Sequence, residues 1–175
     1  MMSQFQAPSQ TRVPLRIRMS DHVGRDHLDG GWWPQSRDFE LEFSDLAAHF
    51  TTSHGRVLQA HCCASDWDTV PPRVQVSRNR IEVTTSAHGE PHLIELLLTS
   101  RVLLRLLIVP PELSDYHGEE ALLASATPHN AETASSLLET VTEFPGVDPD
   151  DQWSDDGGSW WHPSRTAPSF RVNDG

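Results

Sequence analysis

Between Arg12 and Met19 the chain reads RVPLRIRM, with Val13, Leu15, Ile17 and Met19 alternating with Pro14, Arg16 and Arg18. A period of two predicts a half-buried strand with a basic outer face. Pro14 cannot donate to a ladder, which predicts a sheet edge. The period then changes. Phe39, Phe43, Leu46, Ala47 and Phe50 recur at helical spacing. They form one apolar face of a helix predicted from a Ser36 cap to about Thr51. SHG at Ser53 to Gly55 ends that helix, because Gly55 can take a left-handed backbone.

Alternation returns after Gly55. RVLQAHCCA, Arg56 to Ala64, predicts a strand, SDWDTVPP a turn, and RVQVSRNRIEV, Arg73 to Val83, a hairpin turning at Ser77 to Asn79. LIELLLTSRVLLRLLIV, Leu93 to Val109, is almost continuously apolar. We read two central strands, His92 to Leu98 and Arg101 to Val109, covered on both faces. Pro110 and Pro111 stop the second. Two short helices follow, one within Ser114 to Ala126 and one from about Asn130 to Thr142, with Ala134, Leu138 and Val141 on one face. The first Trp–Trp segment, Asp29 to Ser36, lies between the first strand and the long helix and reads as a loop.

The expected architecture is a single α+β domain over residues 11–143. It has a mostly antiparallel sheet of five or six strands, one long helix on a face, and two short C-terminal helices at an end or on the same face. Residues 1–10 read as a disordered head. Residues 144–175 read as a disordered acidic tail containing Trp153, Trp160 and Trp161.

Charge sharpens this division. The 175-residue chain has a formal net charge of -12. Residues 1–110 hold eleven Arg against twelve acids, and residues 111–175 hold two Arg against thirteen acids. A phosphate backbone would be repelled, so nucleic acid is excluded as an expected partner, whereas a basic protein partner is compatible. The apolar run carries Glu95, Arg101 and Arg105. Each would cost about 2.5–3.5 kcal/mol at a bilayer centre, so no membrane span is expected. Cys62 and Cys63 are the only cysteines and are adjacent. A bridge between neighbours is strained, so we expect two free thiols in a reducing cytoplasm. The chain has no Lys, a composition that suggests a GC-rich bacterial genome.

One stretch is spelled twice. DGGWWPQS at Asp29 to Ser36 returns as DGGSWWHPS at Asp156 to Ser164. The first copy, followed by WD at Trp67-Asp68, LLIVPPE at Leu106 to Glu112 and TPHNAET at Thr127 to Thr133, resembles a family of small actinobacterial proteins of unknown function. That family has a DG-x-WWP-x-S-x-D signature, and the resemblance covers about residues 12–141. It implies a strand, a WWP segment opening a helix, strands ending in VPP, and a short helical end. It implies no activity. Ser44 stands where the pattern has Pro, and Ser77-Arg78 replace a Gly-Gly turn.

The candidate ligand or partner surface comprises Asp29, Trp32, Trp33, Arg37, Trp67 and Asp68. Aromatic walls with carboxylates suit a cation or a sugar. The structural alternative has one Trp plugging the core at the helix start and its neighbour covering the sheet edge. A partner surface requires Trp32 or Trp33 to be partly exposed. A ligand pocket requires both to line a concavity with Asp29 or Asp68 pointing in. Burial of both rings leaves only the structural role. The tail tryptophans, Trp153, Trp160 and Trp161, suit a linear motif for a protein partner, or self-contact of the tail with the body.

No catalytic residue, cofactor or metal site is assigned. G-x-S-x-G, P-loop and G-x-G-x-x-G motifs are absent. His61 with Cys63, His88 with His92, and His49 with His54 match no zinc spacing. The function expected is a non-catalytic interaction or regulatory module using the WWP loop and the acidic tail. The alternative is a small-ligand-binding protein or enzyme with a Trp/Asp-lined pocket.

Overall fold

A computed structural model of the chain describes residues 12–143. The expected head, the tail and the tail motif lie outside those residues. In chain order the elements are β1 (Arg16–Met19), β2 (Gly30–Trp33), α1 (Phe39–Ser53), β3 (Val57–Cys63), a 3-10 turn (Ala64–Asp66), β4 (Arg73–Val76), β5 (Asn79–Ser86), β6 (Leu93–Leu98), β7 (Leu103–Ile108), α2 (Asp115–Ser125) and α3 (Ala134–Glu143). The strands form one sheet in the order β1-β2-β7-β6-β3-β5-β4. Two neighbouring pairs, β2 with β7 and β3 with β5, are parallel, and the other four are antiparallel. This is the α+β single domain anticipated, with a mixed, mostly antiparallel sheet.

The sheet has seven strands because the segment expected as a loop is its second strand. GGWW lacks the β-branched residues that mark strands, and its glycines read as a turn. Tertiary pairing overrides both signals. Gly30 and Gly31 pair with β1 on one side and β7 on the other. Gly30 needs glycine for room against backbone, and a side chain at Gly31 would displace that of Ser125. A Cβ on Gly30 would lie 2.2 Å from the Arg18 carbonyl oxygen, and one on Gly31 would lie 2.4 Å from Ser125 Oγ.

Successive side chains of a strand point to opposite faces. Trp32, Leu104, Leu106 and Ile108 therefore enter the core under α1, while Trp33 and Leu107 enter a second cluster. The face of α1 built from Phe39, Phe43, Leu46, Ala47 and Phe50 is buried as expected. The cap is Asp38 rather than Ser36: its carboxylate accepts the Leu41 N–H at 3.2 Å. Ser36 donates its hydroxyl to Glu42 Oε1 at 2.8 Å, and Glu42 Oε2 accepts the Gln35 N–H at 3.1 Å. Buried Glu42 thus holds the chain entering α1, and Arg12 pairs with it at 3.1 Å.

The C-terminal helices cover the opposite face from α1, over Trp33, Leu107 and Val109. The expectation of an end or the same face is corrected by the two-sided apolarity of β7, which leaves a second face to be covered. Farther along that face, His61, Glu82, Thr84 and Arg105 stay at least partly accessible, and among the described residues no helix covers them. No helix among the described residues is long and apolar enough to cross a membrane.

Candidate functional site

The WWP segment is built into the fold. Asp29 is 1 % exposed. Its carboxylate accepts the N–H groups of Gly24 and, at 2.8 Å, of Arg105. Its own N–H donates to the Arg105 carbonyl at 2.7 Å, and its carbonyl accepts from Ser20 at 2.8 Å. Asp29 is a clasp joining the turn after β1, the start of β2, and β7.

Trp32 is fully buried, 5.4 Å from the ring of Trp67, which meets Phe39 edge-on at 5.1 Å. Trp33 is 3 % exposed on the other face, and its indole N–H donates to the Pro110 carbonyl at 3.2 Å. The Arg16 guanidinium stacks 3.6 Å from the Trp33 ring centroid and donates to the Trp33 and Pro34 carbonyls at 3.2 and 2.9 Å. Burial lowers its pKa, against the raising effect of Asp115, Glu42 and Glu119.

Trp32 and Trp33 are both buried, because successive residues of a strand point to opposite faces and both faces of β2 are covered, one by the α1 core and the other by α2. Of the six proposed surface residues, Asp29, Trp32, Trp33 and Trp67 are buried. Arg37 and Asp68 remain accessible, and the Asp68 N–H donates to the Arg37 carbonyl at 3.1 Å. Arg37 is bound to Glu112; that hydrogen bond raises the pKa of the guanidinium and lowers that of the carboxyl.

Two features outside that set are more available. The first lies where the chain leaves β3 and enters β6. Asp66, 8 % exposed, accepts the His92 N–H at 2.9 Å, and its other oxygen lies 3.4 Å from His92 Nδ1. Burial pushes its pKa up, opposed by the His92 N–H, the His92 ring and Arg37. His92 has a left-handed backbone, φ 62, which the Asp66 hydrogen bond supports. Its ring borders an open groove of about 290 Å³ floored by Pro91, Pro110, Leu113 and Leu138 and rimmed by Ser135 and Glu139. Asp66 is sequence-adjacent to Trp67, but its pairing with His92 joins residues 26 positions apart and carries no local signal.

The second is the outer side of β1. This strand ends the sheet, and among the described residues no strand pairs with its outer edge. The Trp32 carbonyl faces β7, accepting from Val109 at 2.9 Å, so Gly31 and Trp33 face β1. Their register partners Arg18 and Arg16 use their main-chain groups inward, which leaves those of Ile17 pointing out. Two grooves of about 590 and 580 Å³ flank this edge and share Arg18 and Glu119. Val13 (57 % exposed) lines the first, and Tyr116 (37 %) and Leu123 (55 %) line the second.

Cys62 and Cys63 are free and buried. Among the described residues no group of three or more His, Cys, Asp or Glu side chains is arranged to hold a metal ion.

Residues 15–125, from the approach to β1 through the end of α2, match a family of unknown function, DUF5994, and the chain belongs to that family. No match was found among curated proteins or among solved structures.

Proposed function

We propose that the protein is a non-catalytic interaction module whose contact surface is the β1 edge with the adjoining face of α2, and that it takes a β-strand from a partner protein. The observation that carries this reading is the coincidence of a strand edge left open among the described residues with three exposed side chains beside it, Val13, Tyr116 and Leu123. An uncovered edge offers a row of main-chain donors and acceptors, and grooves beside it that mix apolar and charged side chains accept alternate side chains of an added strand. Pro14 and the short length of β1 limit the edge to a few residues.

The test is a displayed library of extended peptides selected on the intact protein. Ile17→Pro removes an outward N–H, and Leu123→Glu puts a charge in the groove. Both should weaken selected peptides by about tenfold or more, while Leu41→Glu, exposed on α1, should not. Peptides indifferent to both changes, or no selected peptide at all, would overturn the reading.

A second reading is supported by the Asp66–His92 pair. A buried carboxyl of raised pKa beside an imidazole on a groove is the kind of perturbed group found at ligand sites. In this reading a small polar ligand lies against His92, held in the groove between α3 and the ends of β6 and β7. Fragment screening by NMR should shift the His92 ring signals, and His92→Gln should abolish the response. Fragment binding that leaves His92 unmoved would count against it.

A further inference from the structure

We infer that the strand added at the β1 edge is β1 of a second copy of this chain, so that two sheets join about a two-fold axis. The inference rests on the interaction reading above and names the partner.

The charges along the strip favour it. Facing the grooves are Arg16 and Arg18 from β1 and Asp115, Glu119 and Glu120 from α2. A uniformly basic partner strand would place its side chains beside Arg16 and Arg18. A uniformly acidic one would meet three carboxylates on α2. Both signs on one strip suit a surface that meets itself, because a two-fold axis brings each patch against its own copy. Arg18, exposed at the edge, then reaches Glu119 or Glu120 of the other copy.

The obvious objection is that antiparallel pairing centred on Ile17 sets Arg16 opposite the second copy's Arg18, and like charges directly opposite are unfavourable. Arg16 is withdrawn from that encounter. Its guanidinium lies on the Trp33 ring and is bound to the Trp33 and Pro34 carbonyls. The apolar groups agree as well. Tyr116 and Leu123 are exposed on α2, next to the edge, where the two α2 helices of such a dimer would approach each other.

Sedimentation velocity on the full chain, over a concentration series reaching tens of micromolar, tests the inference. The expected result is a concentration-dependent dimer. Arg18→Glu alone and Glu119→Arg with Glu120→Arg should each weaken it by about tenfold or more. The three changes together should restore it, a rescue that misfolding cannot produce. A wild-type chain that stays monomeric throughout, or a dimer untouched by Arg18→Glu and Leu123→Glu, would overturn the inference. If the chain is monomeric while selected peptides still depend on Ile17 and Leu123, the second copy is wrong as partner and the edge-binding reading stands. If neither dimer nor peptide is seen, both fail.

Discussion

The indole of Trp33 occupies the space that a side chain would need at Gly118. A Cβ built on Gly118 would lie 2.3 Å from Cη2 of Trp33, with Cζ2 and Cζ3 at 2.4 and 2.5 Å. Helix α2 can therefore approach β2 closely only with glycine at this position. In an exposed helix Gly→Ala is worth about 1 kcal/mol in favour of Ala. Here the sign should reverse. Overpacking against a ring held by Arg16 and Pro110 should make Gly118→Ala a net loss of about 2 kcal/mol or more, read by urea unfolding. Trp33→Phe in that background should recover part of it, so the pair will be non-additive.

Asp29→Asn is expected to cost about 2–4 kcal/mol although it changes little in shape. Asp29 accepts two main-chain N–H groups, one on each oxygen. An amide has one oxygen and one nitrogen, so one N–H would face another donor. Thermal unfolding checks the loss. A variant as stable as the parent would mean that the clasp adds nothing.

Cys62 should be silent in the folded chain. Burial, followed by the charges of Asp66 and Cys63, pushes its thiol up to about 12. At pH 8 it is almost wholly protonated, and its 1 % exposure blocks a reagent as well. Ellman's reagent should therefore modify Cys62 at the rate of global unfolding, and quickly in denaturant. Rapid modification of Cys62 under native conditions would contradict its placement between β5 and β6.

Asp66 gives the acid limb of stability a definite sign. Its pKa is raised in the fold, chiefly by burial, so the folded state holds the proton more tightly than the unfolded chain. That contribution is fully present below the ordinary aspartate range and is lost as pH rises through the raised folded value. Asp66→Asn has no proton to lose there. Its stability relative to the parent should therefore improve as pH rises across that window, measured by urea unfolding at a series of pH values. A difference that stays constant with pH would show that the carboxyl is not perturbed.

Most of the elements were legible because their signals are local. The period of Phe39 to Phe50 marked α1, and the alternation of Val74, Val76, Ile81 and Val83 marked the β4–β5 hairpin. The apolar run was rightly divided at Thr99-Ser100, since neither half carries a polar face wide enough for a surface helix. β2 was hidden because its strand character comes from its neighbours, not from GGWW. The site was harder for the same reason. Adjacent tryptophans suggest a patch when read along a line, but a strand sends them to opposite faces. The helix cap was misplaced by two residues, because Ser36 and Asp38 are both good caps and only the packing of Glu42 decides between them. The pairing of Asp66 with His92, and the flanking of β1 by α2, exist only once the chain is folded.

The position of β2 also sets the order in which the molecule can be completed. Its clasp to β7 joins residues 76 positions apart, and β7 lies between β2 and the rest of the sheet. A growing chain that has made α1 and the β4–β5 hairpin already holds Phe39 and Trp67 for Trp32, but it lacks the β7 and α2 residues that cover Trp33. Closing so long a loop costs entropy before any contact repays it. Until β7 and α2 emerge, the Trp33 ring has Arg16 against it but not the apolar cluster that buries it. Chains interrupted between β5 and β7 should therefore be sticky rather than merely short, and the WWP segment is where such fragments would cling to one another or to a chaperone.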